Sequence, residues 1–170
     1  MRGVLVAVAL WAIHSACAYS SAPAPVPLQA LKPRIDMLTT KGWQAIRVFF
    51  LVSRQEGGYR VLMDPMPAGT ATDEQKMYAE LYVVAGLTKG ISELVCTHRS
   101  TQSLCGARFD PAWRVEPKTV KPTLESLVAW TNETESALVP LWSGLCQLAK
   151  ANGVEARRPG GPISPLCPPE

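Results

Sequence analysis

Residues 72–96 read TDEQKMYAELYVVAGLTKGISELVC, and this stretch decides the fold class. Thr72 and Gln75 stand three apart, the capping-box spacing in which each side chain satisfies a free backbone N–H of the other. Asp73 and Glu74 fall in the first turn, where the helix dipole favours negative charge. Met77, Tyr78, Leu81, Val84, Ala85, Thr88, Ile91 and Val95 then recur at helical spacing. A helix ending near Cys96 follows. Gly86 and Gly90 lie four apart within it. Each costs about 1 kcal/mol of helix propensity relative to Ala, so the pair predicts the close approach of another helix.

Downstream, Pro122-Thr123-Leu124 opens another helix, with Thr123 as its cap and Leu124, Leu127, Val128 and Thr131 on its inner face. Leu138, Leu141, Trp142, Leu145, Leu148 and Ala149 predict a separate helix. Pro140 would sit in its first turn, where a missing N–H is harmless, and Asn152-Gly153 would stop it. Residues 132–135 then read as a linker. Upstream, residues 42–63 admit two readings. Apolar runs on either side of Gly57-Gly58 suggest a β-hairpin, and Trp43, Ile46, Phe50 and Leu51 also fit one face of a helix over 40–54. The expected fold is a mainly α, small disulfide-stapled helical domain, with one N-terminal β-hairpin as the open alternative.

The chain's N-terminus reads as an address. Arg2, an apolar run over residues 3–13 and the small residues Ala16 and Ala18 form the three-part layout of a signal peptide, residues 1–18, cleaved after Ala18 or Ser20. The apolar run is shorter than the about 20 residues a membrane span requires. Ser15-Ala16-Cys17 offers a rival, a lipid anchor at Cys17, although His14 stands where a lipoprotein box carries Leu. Residues 19–34, rich in Pro, Ala and Ser, read as a flexible tether, 35–153 as the globular helical domain, and 154–170 as a Pro/Gly-rich tail. The expected location is the periplasm or the extracellular space.

Of the five cysteines, Cys17 falls in the leader, leaving Cys96, Cys105, Cys146 and Cys167. An even number in an exported chain reads as two disulfides. Three pairings exist; Cys96–Cys105 and Cys146–Cys167 close the short loops and are favoured, the second tying the tail back. The net charge of +3, without a basic stripe, points away from nucleic acid.

No catalytic motif stands out. His98 is the one candidate base beyond the leader, and no Gly-x-Ser-x-Gly elbow accompanies it. Cys96, His98 and Cys105 supply three zinc ligands where four are usual, so no metal site and no cofactor is expected. Asp73/Glu74 and Glu133/Glu135 are paired carboxylates, but the first pair is explained by a helix start and the second by an exposed linker. Asn132-Glu133-Thr134 has the form of a glycosylation acceptor. The segment 97–104, closed by Cys96–Cys105, reads as a stapled, polar, slightly basic protrusion. A pre-organised loop loses less entropy on binding. His98, Arg99, Gln102, Arg108, Phe109 and Trp113 are its candidate partner-binding residues.

Residues 82–90, YVVAGLTKG, leading to Cys96, and the segments 124–130 and 138–148 resemble the Tai-type immunity proteins. The resemblance covers about 80 residues. It implies a small helical periplasmic protein with paired C-terminal helices and a loop inserted into the active site of a cell-wall amidase. The expected function is therefore an exported binding protein, an inhibitor or immunity protein of a hydrolytic enzyme or toxin. The alternatives are an envelope structural or accessory subunit, and a small exported hydrolase.

Overall fold

The structure, a computed structural model, describes residues 27–54, 71–154 and 166–167. The signal peptide, the Cys17 anchor, residues 55–63 of the alternative hairpin and most of the tail lie outside the described residues. Three long helices carry the fold: α1 (Leu28–Ser53), α2 (Asp73–Thr97) and α3 (Leu124–Ala151), with short 3₁₀ turns at Arg99–Leu104 and Pro117–Thr119 between α2 and α3. Among the described residues there is no strand.

The burial pattern explains why helix wins throughout. In α1 the buried positions Leu31, Ile35, Leu38, Gly42, Ala45, Phe49 and Val52 alternate steps of four and three. Met77, Leu81, Val84, Thr88, Ile91 and Val95 do the same in α2. So do Leu127, Thr131, Thr134 and Leu138 in α3, with Leu145 one heptad further on. A 3.5-residue repeat keeps one seam of each helix turned to its partners.

Three expectations are corrected. Residues 28–34, assigned to the tether, are helical: Leu31 and Ile35 are fully buried, and Pro33 is carried on the exposed side of α1. The hairpin alternative fails over residues 42–53, which complete α1. The pair of C-terminal helices, which the family resemblance also implied, is one helix. Pro140 sits inside it on an exposed position; Thr131 is buried as its place on the inner face predicts, and Thr134, read as part of a linker, is buried core as well. Their hydroxyls donate to Leu127 O at 2.7 Å and Trp130 O at 2.8 Å, so burial leaves no orphaned group. The α2 prediction holds: Thr72 and Gln75 form the capping box, and the helix ends at Thr97.

The three helices run parallel. Leu31 and Ile35 near the start of α1 cluster with Met77, Tyr78 and Leu81 near the start of α2 and with Leu127 near the start of α3. The larger cluster joins the later halves of all three, from Leu38 to Phe49, Val84 to Val95 and Leu138 to Ala149. Lys32 pairs with Glu80 at 3.2 Å, and Arg34 pairs with Glu135. Parallel neighbours need crossovers, so residues 98–123 travel back along the whole bundle.

Both expected disulfides form, Cys96–Cys105 and Cys146–Cys167. The second brings Leu166 and Cys167 into the main core. Trp142 Nε1 donates to Leu166 O at 3.4 Å, and Lys41 Nζ lies 4.5 Å from the Trp142 ring centroid. No described helix is long and apolar enough to cross a membrane.

Candidate functional site

The crossover begins at the C-terminal end of α2 and is fixed rung by rung. His98 turns the chain out of α2 and caps the next element, its Nδ1 accepting from Ser100 N–H at 3.3 Å. Thr101 is fully buried, and its hydroxyl lies 3.1 Å from Val95 O and 3.2 Å from His98 O. Leu104 is packed so closely on α3 that a Cβ on Gly144 would lie 2.6 Å from its Cδ2. Cys96–Cys105 closes the turn covalently. The expected protrusion is thus a one-sided edge: Thr101 and Leu104 face the bundle, and Arg99, Gln102 and Ser103 face out.

The return leg tracks α2 towards its N-terminus. Phe109 N–H donates to Ser92 Oγ at 3.1 Å, and Lys89 pairs with Asp110 at 2.8 Å. Arg114 Nε then donates to Tyr82 O at 3.1 Å while its guanidinium lies 4.0 Å from the Tyr82 ring centroid. That guanidinium is what Gly86 makes room for: a Cβ there would lie 2.6 Å from Arg114 Nη2, so the neighbour at Gly86 is a side chain of the crossover and not the helix its spacing suggested. Finally, the Tyr78 hydroxyl lies 2.8 Å from both Trp113 O and Val115 O, and accepts from Val115 N–H at 3.2 Å. Burial pushes the Tyr78 phenol above its ordinary range, against the opposing hydrogen bond to Val115.

The predicted binding residues therefore split into two groups. His98, Arg99 and Gln102 occupy the turn at the end of α2, with Arg108 exposed just beyond it and Phe109 half-buried against Ser92. Trp113 belongs to the other end. It stacks on Trp130 with centroids 5.2 Å apart and donates from Nε1 to Glu133 at 2.6 Å. Tyr78, its neighbour, is about 30 Å along α2 from His98 at the helical rise per residue. Trp113 is an anchor of the smaller core and stands apart from the edge.

The other candidates are accounted for by structure. Cys96 and Cys105 are bonded to each other, which removes both sulfurs as metal ligands; among the described residues no group of three His, Cys, Asp or Glu is placed to hold a metal ion. Glu133 holds Trp113, and Glu135 holds Arg34, which also donates to Asn132 Oδ1 at 2.8 Å. Asn132 and the buried Thr134 lie mid-helix, so the acceptor triplet is locked in the fold. Sequence reasoning missed the Tyr78–Trp113–Trp130 cluster. The available signal was Trp130, three residues beyond Leu127 on a helix already drawn.

Comparison with protein-family models, curated proteins and solved structures gives no match to this chain.

Proposed function

We propose that the protein is an exported binding protein, an inhibitor or immunity protein of a hydrolytic enzyme, and that residues 98–108 form its contact edge. One observation carries the reading. Arg99, Gln102 and Arg108 are exposed on a backbone pinned by Cys96–Cys105, by buried Thr101 and by Leu104. Among the described residues Arg99 and Arg108 make no ion pair, which leaves their charges available to a partner. Fixing the backbone beforehand lowers the entropic cost of binding. Met37 and Val115 are the exposed large apolar side chains among the described residues, which favours a polar edge over an apolar face as the contact. The leader-like N-terminus and the two disulfides support an oxidising location.

Affinity capture of the chain from its own envelope extract, with mass spectrometry, tests this reading. The expected result is one stoichiometric hydrolase whose turnover the chain suppresses. Arg99→Ala combined with Arg108→Ala weakens that complex at least tenfold and leaves the thermal transition in place. Unchanged affinity in the double variant refutes the edge; capture of envelope-machine components without a hydrolase refutes the inhibitor role.

A further inference from the structure

The two disulfides differ in what can reach them. Cys146 and Cys167 are 5% and 6% exposed and sit inside the main core. Cys105 is exposed and Cys96 half-buried, at the rim of the bundle. Thiol–disulfide exchange requires a thiolate to reach one sulfur while the other leaves, so access separates the two bonds. In the chain, exposed Arg99 stands three residues after Cys96 and exposed Arg108 three after Cys105; a cation near the bond attracts an incoming thiolate and stabilises the one that departs. The released Cys96 also has a partner waiting, because its Sγ lies 3.5 Å from Ser92 O, to which a thiol can donate.

We infer that Cys105 is a thiol-exchange site, the sulfur at which a dithiol, small or protein-borne, opens the Cys96–Cys105 bond while Cys146–Cys167 stays closed. The dithiol's thiolate attacks Cys105 Sγ, the Sγ–Sγ bond breaks, and the electron pair leaves on Cys96, which takes up a proton. The second thiol of the reductant, as thiolate, attacks its own sulfur in the mixed disulfide and expels the Cys105 thiolate, which is then protonated. The dithiol is oxidised to its disulfide, and the protein gains two thiols. Thr101 and Leu104 still hold the backbone of Arg99–Leu104 on the bundle, so the helices persist through the change. The inference does not rest on the proposed inhibitor role, although the bond lies within the same edge.

Full-length protein, pre-alkylated to block Cys17, is treated with dithiothreitol under native conditions. Samples are quenched with iodoacetamide over time and mapped by mass spectrometry while circular dichroism follows the helices. Cys96 and Cys105 are expected to be labelled at least tenfold faster than Cys146 and Cys167, with helical signal retained. Arg99→Ala with Arg108→Ala slows the labelling of Cys96 and Cys105 and leaves the other pair unaffected. Equal rates for the two pairs, earlier opening of Cys146–Cys167, or reduction that coincides with loss of helix each overturns the proposal.

Discussion

The Tyr78 hydroxyl ties the crossover to α2 at the end remote from both disulfides, and it does so from complete burial. Replacing it by Phe removes one donor and one acceptor while leaving Trp113 O, Val115 O and Val115 N–H in place. A buried polar group stripped of its partner costs about 1–3 kcal/mol. Tyr78→Phe should therefore lower the urea midpoint by an equivalent amount at neutral pH. The same variant has a pH signature. The folded pKa of Tyr78 lies above its unfolded value of 10.0, so its contribution is whole below pH 10.0 and is lost as pH rises through the folded value. The loss of stability between pH 9 and 11 should be smaller in the Phe variant; an identical loss would mean that Tyr78 does not titrate with unfolding. None of this was legible beforehand. The periodicity marks Tyr78 as inward-facing, but its partners are backbone carbonyls more than thirty residues away, and side-chain identity carries no address for them. Thr134 misled for a related reason. Its polarity suited a linker, whereas, like Thr131 on the inner face, it satisfies its hydroxyl within its own turn and is free to be buried.

At the scale of elements, caps and heptads were the readable part. Thr72, Gln75 and Thr123 start their helices where the sequence places them, because capping is a local contact. Helix continuity was less readable, and proline is the reason. Pro140 interrupts an otherwise unbroken seam from Leu127 to Ala149, and a break at proline is the ordinary expectation. The helix continues because Leu138 and Leu145 are both fully buried on either side of it, and a break would take one of them out of the core. The local cost is still present: a proline in a helix interior is about 3 kcal/mol worse than Ala, part of which is returned by its stiffening of the unfolded chain. Pro140 is exposed, so its removal opens no cavity. Pro140→Ala should raise stability by about 1–2 kcal/mol, seen as a higher thermal midpoint with unchanged near-ultraviolet circular dichroism. A lower midpoint would show that the ring itself contributes to packing.

For the whole molecule, helix faces say which residues turn inward and nothing about direction, so parallel packing was hidden. Three parallel helices align their dipoles, and the crossover over residues 98–123 must run the length of the bundle instead of turning tightly. Long connections raise the entropy lost on folding, and the two covalent links act against that loss at the end where all three helices finish. The cysteine pairing was legible because short loops close most readily, but its consequences differ between the two bonds. Sequence separations of 9 and 21 correspond to about 2.6 and about 3.3 kcal/mol in the chain-entropy model. The gap should widen further, because Cys146–Cys167 also delivers Leu166, 4% exposed, into the core, and burying a Leu side chain is worth about 1.5–3 kcal/mol. Cys96–Cys105 delivers no comparable apolar group, since Thr101 and Leu104 are held by their own contacts. Replacing both Cys146 and Cys167 with Ser should therefore destabilise the protein more than replacing Cys96 and Cys105, by about 2–4 kcal/mol in urea unfolding, with native helical content in both variants. If the Cys96/Cys105 variant proves the weaker of the two, the turn at the end of α2 is held mainly by its disulfide, and Thr101 and Leu104 are insufficient anchors for the edge that carries Arg99 and Gln102.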